Sequence, residues 1–181
     1  MQNSTLICDG CVKNEVGDEF SLWQGISDEH RAAILEAAKS DELIVSNTGD
    51  AQRFASLEKF NQWLTTNPIP YTLTPKDSPN VLSGFIWFVQ MDLPEEIASQ
   101  TDQQTNWTFA VRLYENARGK RLSYPFMDQA FKEFWQENPD EIIWLSTGKD
   151  NAIAKKIYEK FGFQKIADTE DRSYYLLSPV Q

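Results

Sequence analysis

The sequence predicts a mixed α+β fold, a mostly antiparallel sheet of about six to seven strands with helices on both faces. The prediction rests on pattern and order. Apolar residues recur every three or four positions over several separate stretches, the spacing of helices that bury one face. Runs rich in β-branched and aromatic residues, bounded by Pro, Asn and Gly, lie between and after those stretches. The order is helices, a strand hairpin, strand, helix, strand, helix and a closing strand pair, which sets helices against both faces of one sheet.

The elements follow along the chain. After an irregular start, the part from about 20 to 66 reads as helical. Ser27 or Asp28 caps a helix through Ile34, Leu35 and Ala38, and residues 56–64 place Leu57, Phe60, Trp63 and Leu64 on one face before Pro68 and Pro70. Residues 71–74 and 81–91 read as strands around a turn at 75–80, an antiparallel hairpin. Residues 93–105 are polar and read as a loop or short helix. A third strand covers 107–114, with Phe109, Val111 and Leu113 alternating against Thr108, Ala110 and Arg112. A long amphipathic helix opens near Arg121 or Leu122, with Pro125 in its first turn, and closes at Asn138-Pro139. Residues 142–146 form a buried strand. Asp150 or Asn151 caps the next helix, Gly162 ends it in a left-handed turn, and strands at 164–167 and 173–177 close the chain. All 181 residues read as one domain, a helical part at about 20–66 followed by a core at about 71–177.

Composition excludes some functions. The formal charge of −10 argues against nucleic acid as the main partner, because phosphate binding needs clustered Lys and Arg. It favours a cationic substrate such as an amine. No run approaches the roughly 18 apolar residues of a membrane span, and no basic start precedes an apolar core, so no membrane partner is expected and the cytoplasm is the default location. Cys8 and Cys11 form a single Cys-x-x-Cys. Without a fourth strong ligand beside His30, the expectation is two reduced cysteines and no metal. His30 is expected at the surface or as a cap. The aromatic surplus, including six Trp, leaves room for a dimer.

The chemistry concentrates where the strand ending at Tyr114 passes through a basic, glycine-containing turn into the long helix. A helix N-terminus offers backbone N–H groups and the positive end of its dipole, and Arg118, Lys120 and Arg121 add positive charge there. The combination points to a phosphate-bearing ligand. No convincing Ser-His-Asp or Cys-His set for a covalent nucleophile stands out in the sequence.

Arg118-Gly119-Lys120-Arg121-Leu122-Ser123 resembles the acetyl-CoA loop, Arg/Gln-x-x-Gly-x-Gly/Ala, of the GNAT N-acetyltransferase superfamily. Asn151, Ala154, Tyr158 and Gly162-Phe163 are similar to that family's Asn-x-x-Ala-x-x-x-Tyr-x-x-x-Gly-Phe helix, the more specific of the two matches. The resemblance covers 107–177 and extends to the hairpin from 71. It implies a GNAT-like fold with a splayed strand pair, and acetyl-CoA as co-substrate for N-acetylation of a primary amine on a small molecule or protein. It also implies residue roles. Backbone N–H groups near Leu113 hold the pantetheine arm and polarise the acetyl carbonyl. Arg118, Gly119, Lys120, Arg121, Leu122 and Ser123 cradle the pyrophosphate, Asn151 meets the cofactor near the splay, and Tyr158 protonates the departing thiolate. The plain alternative for Tyr158 is a packed aromatic.

The sequence departs from the family at two positions. Arg121 stands where the family has its first loop glycine, and Ser123 at the second small position. An arginine there takes an awkward φ; pointing outward it strengthens pyrophosphate binding, pointing inward it blocks acetyl-CoA. The general base stays open between Glu115, Asp92 and a water relay. Asp50, Arg53 and Phe54, just before the second helix, read as capping and packing residues, with the shaping of an acceptor pocket as the alternative. The alternative function is a catalytically weak or inactive GNAT-like domain that binds CoA species or a protein partner.

Overall fold

In the computed structural model, which describes residues 4–179, several helices begin where a short polar side chain accepts a backbone N–H. Ser27 Oγ accepts from His30 N at 3.1 Å and opens α1 (Asp28–Ser40). Asp41 Oδ1 accepts from the N–H groups of Leu43 and Ile44 and opens α2 (Glu42–Asn47). A single turn, α3 (Asp50–Arg53), precedes α4 (Leu57–Leu64), which Ser56 caps through Lys59 N at 3.2 Å. Within the polar stretch, α5 (Glu95–Ala98) is again a single turn. The long amphipathic helix is α6 (Ser123–Glu137), with Pro125 in its first turn. Asn151, not Asp150, caps α7 (Ala152–Phe161), and Gly162 ends it at φ 113°.

The strands are β1 (Thr5–Lys13), β2 (Glu19–Gln24), β3 (Ile69–Pro75), β4 (Gly84–Gln90), β5 (Trp107–Leu113), β6 (Ile143–Gly148), β7 (Gln164–Asp168) and β8 (Arg172–Leu177). They form one mostly antiparallel, 8-stranded sheet in the order β1-β2-β3-β4-β5-β6-β8-β7. The count exceeds the sequence expectation because the irregular start and the first residues of the part expected to be helical from about 20 form a hairpin: β1 pairs antiparallel with β2, from Thr5 opposite Gln24 to Lys13 opposite Glu19. The register shifts between Leu6 and Cys8 and again between Cys8 and Val12, and Gly10 lies in that irregular stretch at φ 62°. Bulges of this kind erase the two-residue alternation by which a strand is read. The exception to antiparallel pairing is β5 with β6, whose parallel register covers Trp107 opposite Ile143 and Thr108 opposite Trp144; β6 stays paired with β8 as far as Gly148.

Two expectations about single residues are corrected. Cys8 and Cys11 are not a reduced pair: a disulfide joins them, with Cα atoms 5.7 Å apart, inside the span such a bond allows. His30 is buried, with Nε2 2.9 Å from the Pro79 carbonyl oxygen. Burial lowers its imidazole pKa and favours the neutral ring.

The chain divides into two compact units, residues 1–87 with 111–130, and residues 88–110 with 131–181. In the first, alternation along β4 sends neighbouring side chains to opposite faces. A Cβ at Gly84 would lie 2.8 Å from the Phe126 ring of α6, so only glycine fits that face at this point. Phe85 and Trp87 turn the other way, into an aromatic group with Phe54, Phe60 and Trp63 whose ring centroids stand 4.8–6.3 Å apart. In the second unit, Phe88, Phe109, Phe131, Phe134 and Phe163 form the centre of the core. A smaller cluster of Leu93, Ile97, Trp144, Ala167, Tyr174 and Leu176 lies beside α5. Among the described residues no helix is long and apolar enough to cross a membrane.

Candidate active site

The basic turn leaves β5 at Leu113 in the first unit. Tyr114 N donates to Ser83 O at 3.0 Å, and the chain winds through a 3-10 turn, Glu115–Ala117. Beyond it the backbone is left-handed twice, at Gly119 (φ 74°) and Arg121 (φ 58°). Glycine takes that conformation without steric cost; an arginine pays roughly 1 kcal/mol. The awkward φ expected of Arg121 is present. Its guanidinium projects into solvent and pairs with Glu15 of the β1–β2 turn, both side chains being exposed. Of the two orientations the sequence leaves open, this is the outward one.

The neighbours divide the work of the turn. Gly119 and Lys120 are exposed, and nothing stands within 4 Å of where a Gly119 Cβ would be. Leu122 is fully buried and its carbonyl accepts from Phe126 N at 3.0 Å, so its side chain is core. Ser123 starts the 15-residue α6, whose dipole directs its positive end at this turn. Arg118 faces the protein: Nε donates to Leu113 O at 2.9 Å and Nη2 pairs with Asp41 Oδ2 at 2.6 Å. The first bond ties the turn to the end of β5 and the second ties it to the cap of α2. Burial pulls the Asp41 carboxyl pKa upward, but the bonds from Arg118, Ile44 and Leu43 outweigh it and hold the carboxyl below its ordinary value.

Asn151 and Tyr158 belong to the second unit. Asn151 Oδ1 accepts from Ala154 N at 3.1 Å, so half of its amide serves the α7 cap. Tyr158 is half-buried, with its ring edge-on to Phe109 and Phe163 at centroid distances of 6.0 and 5.8 Å. Its carbonyl accepts from Gly162 N and Phe163 N, which ties the Gly-Phe pair of the motif to the tyrosine through the helix C-terminus. The candidate bases Glu115 and Asp92 are both exposed.

A second constellation in the first unit brings together residues far apart in sequence. The Asp50 side chain, 3% exposed, is neither a cap nor a packing residue. Arg112 of β5 clasps it in bidentate fashion, Nε to Oδ2 at 2.7 Å and Nη2 to Oδ1 at 3.0 Å, and Arg53 Nη1 reaches Oδ1 at 2.8 Å. Both guanidinium groups lie against the Trp87 ring, Arg112 at 5.1 Å and Arg53 at 5.6 Å from its centroid. Sequence reasoning names Asp50 and Arg53 but passes over Arg112. The available signal was an arginine inside a strand of otherwise uncharged residues, a position that asks for a buried partner.

The sequence pattern of the acetyltransferase (GNAT) family matches residues 29–163. No curated protein sequence matches the chain. Among solved structures, the chain is similar to the spermidine N-acetyltransferase of Vibrio cholerae in complex with CoA and spermine, at 13% identity and a TM-score of 0.65, covering 88% of this chain and 95% of that one. It is also similar to the ribosomal-protein-S5-alanine acetyltransferase of Vibrio fischeri, at 11% identity and a TM-score of 0.62, with coverages of 87% and 92%. A GNAT-family acetyltransferase from Listeria monocytogenes aligns at 14% identity and a TM-score of 0.63, over 96% and 99%. At such identities the structural likenesses speak to the fold, and the pattern match supplies the family. With its motifs on the expected strand end and helix, and most of its length under the family pattern, the chain belongs to the acetyltransferase (GNAT) family.

Proposed function

We propose that the protein transfers the acetyl group of acetyl-CoA to a primary amine, on a small molecule or a protein, by direct attack in a ternary complex. The observation that carries this reading is the turn between β5 and α6. Two left-handed residues flank an exposed lysine at the positive end of a 15-residue helix. The backbone N–H groups that open α6 and the positive end of its dipole favour a phosphate there.

Acetyl-CoA supplies the acetyl group as a thioester. Gly119, Lys120, Arg121 and the backbone of Leu122 and Ser123 hold the diphosphate. Arg118 fixes the turn through Leu113 O and Asp41. The Leu113 N–H stabilises the carbonyl oxygen as negative charge develops on it, and Asn151 supports the cofactor from the start of α7. The amine nitrogen bonds to the acetyl carbon as the C–S bond breaks. The Tyr158 hydroxyl gives its proton to the sulfur, and the proton lost by the amine passes to water or to an exposed carboxylate such as Glu115 or Asp92. The products are an amide and CoA.

Tyr158→Phe tests the acid. It should lower turnover about 100-fold while leaving acetyl-CoA affinity within about twofold, read by thiol release and calorimetry. Equal turnover in both proteins removes Tyr158 from the mechanism. The second reading, a CoA-binding domain without useful turnover, draws on one observation: Arg118 and Arg121 are both already paired with carboxylates of the chain. Calorimetric titration with acetyl-CoA followed by thiol release over an amine panel separates the two. Tight binding without turnover on any amine favours the second.

A further inference from the structure

We infer that the Arg53–Arg112 cluster on Trp87 recognises the acceptor, and that it takes a carboxylate carried by the acceptor amine. The inference rests on the transferase reading above and names the acceptor class for it.

The cluster has a charge left over. Asp50 places one negative charge between two guanidinium groups, so the group carries a net +1 within a chain of −10. Arg112 commits Nε and Nη2 to Asp50 and Nη1 to Val111 O at 2.9 Å. Arg53 commits only Nη1, which leaves the donors on its Nε and Nη2 for an incoming acceptor atom. A pair built to hold α3 against β5 needs one arginine. The second adds a like charge against the same indole ring, an arrangement that another anion relieves.

Exposure and position support a ligand role. The side chains of Asp50, Arg112 and Arg53 are 3%, 13% and 38% exposed, so the cluster is anchored inside and opens to solvent at Arg53. Trp87 and Phe54 supply an apolar floor beneath that opening. Arg112 also immediately precedes Leu113 on β5, so their Cα atoms stand ~3.8 Å apart with side chains on opposite faces. An amine attacking a thioester held along the Leu113 backbone has Arg112 as its neighbour. An amine with a carboxylate close by, whether a free amino acid or a peptide end with an acidic side chain, satisfies both demands. The acidic chain as a whole accommodates its ammonium group, and this cluster its carboxylate.

The experiment measures kcat/KM for matched acceptors: an amino acid against its amide, and a dipeptide amide beginning with Asp against one beginning with Asn. Wild type should prefer the anionic member of at least one pair by about tenfold, through KM. The first pair identifies the free α-carboxylate as the source, the second the side-chain carboxylate. Arg53→Ala should collapse the preference ratio towards one, and Arg53→Lys should retain part of it. No preference in wild type for either pair, or a parallel loss on both members in Arg53→Ala, overturns the inference. Equilibrium binding of the same amines covers the case in which no acceptor turns over. Selective, Arg53-dependent binding of the anionic members would then uphold the acceptor class while the transferase reading fails, and equal binding of all would sink both.

Discussion

Arg121 carries a backbone strain that a glycine would not, and it holds an ion pair at the surface. Exposed pairs of this kind contribute about 0.2–1 kcal/mol, screened by salt. Glu15 therefore competes weakly with a diphosphate for the Arg121 guanidinium. Replacing Glu15 with Gln should tighten CoA binding about two- to fivefold at low ionic strength, with a smaller gain in high salt. Calorimetry at two salt concentrations reads this directly, and an affinity indifferent to the substitution would show that Arg121 does not reach the phosphates. The same residue marks how far local reading goes. An awkward φ follows from placing a side chain where a turn wants glycine, and that was legible. Its partner Glu15 lies 106 residues away along the chain, and no local rule connects the two.

At the scale of elements, what was legible is what is set within one turn of chain. The caps Ser27 and Asn151, each narrowed to itself or one neighbour, the terminator Gly162 and the positions of β3 to β8 all depend on neighbours a few residues off. The β1–β2 hairpin escaped because its bulges break the alternation, and α2 and α3 because 6 and 4 residues are too few to show a period. The Asp50–Arg112 contact escaped for a different reason: it exists only after strand and helix have been brought together across 62 residues. Helix α7 illustrates how much rests on ends. None of its residues is fully buried, and Ile153 is 77% exposed, so its caps carry an unusual share of its stability. Asn151→Ala should cost about 1 kcal/mol in chemical denaturation, and Asn151→Ser should recover most of it. CoA affinity separates the proposed second role. If Asn151 serves only as a cap, serine restores binding as well; if its amide also meets the cofactor, binding stays weak in both variants.

Across the whole molecule, an excess of acidic residues makes stability a function of pH, through the few carboxylates that folding places beside cations. Lys13 and Lys76 hydrogen-bond Glu19 and lower its pKa to about 2. Bonds from Lys165 and Ser173 lower Asp168, and Asp41 is lowered against the pull of burial by Arg118 and two backbone N–H groups. Each has a folded pKa below its unfolded value near 4, so the folded state binds fewer protons than the unfolded one over that range. Their contribution is present above about pH 4 and is lost as pH falls through the folded values. The urea midpoint should therefore decline gently below about pH 6.5, where the unfolded chain protonates His30 and the buried ring resists it, and fall steeply between about 4 and 2. Asp41 allows a selective test, because Asn caps a helix as well as Asp does but cannot form the ion pair with Arg118. Asp41→Asn should lower the neutral-pH midpoint and flatten the acid limb, since one of the groups that drives it no longer titrates. An acid limb as steep as that of the parent chain would mean that Asp41 gains nothing from Arg118 in the folded state. Arg118 would then hold the basic turn only to the end of β5, through the Leu113 carbonyl.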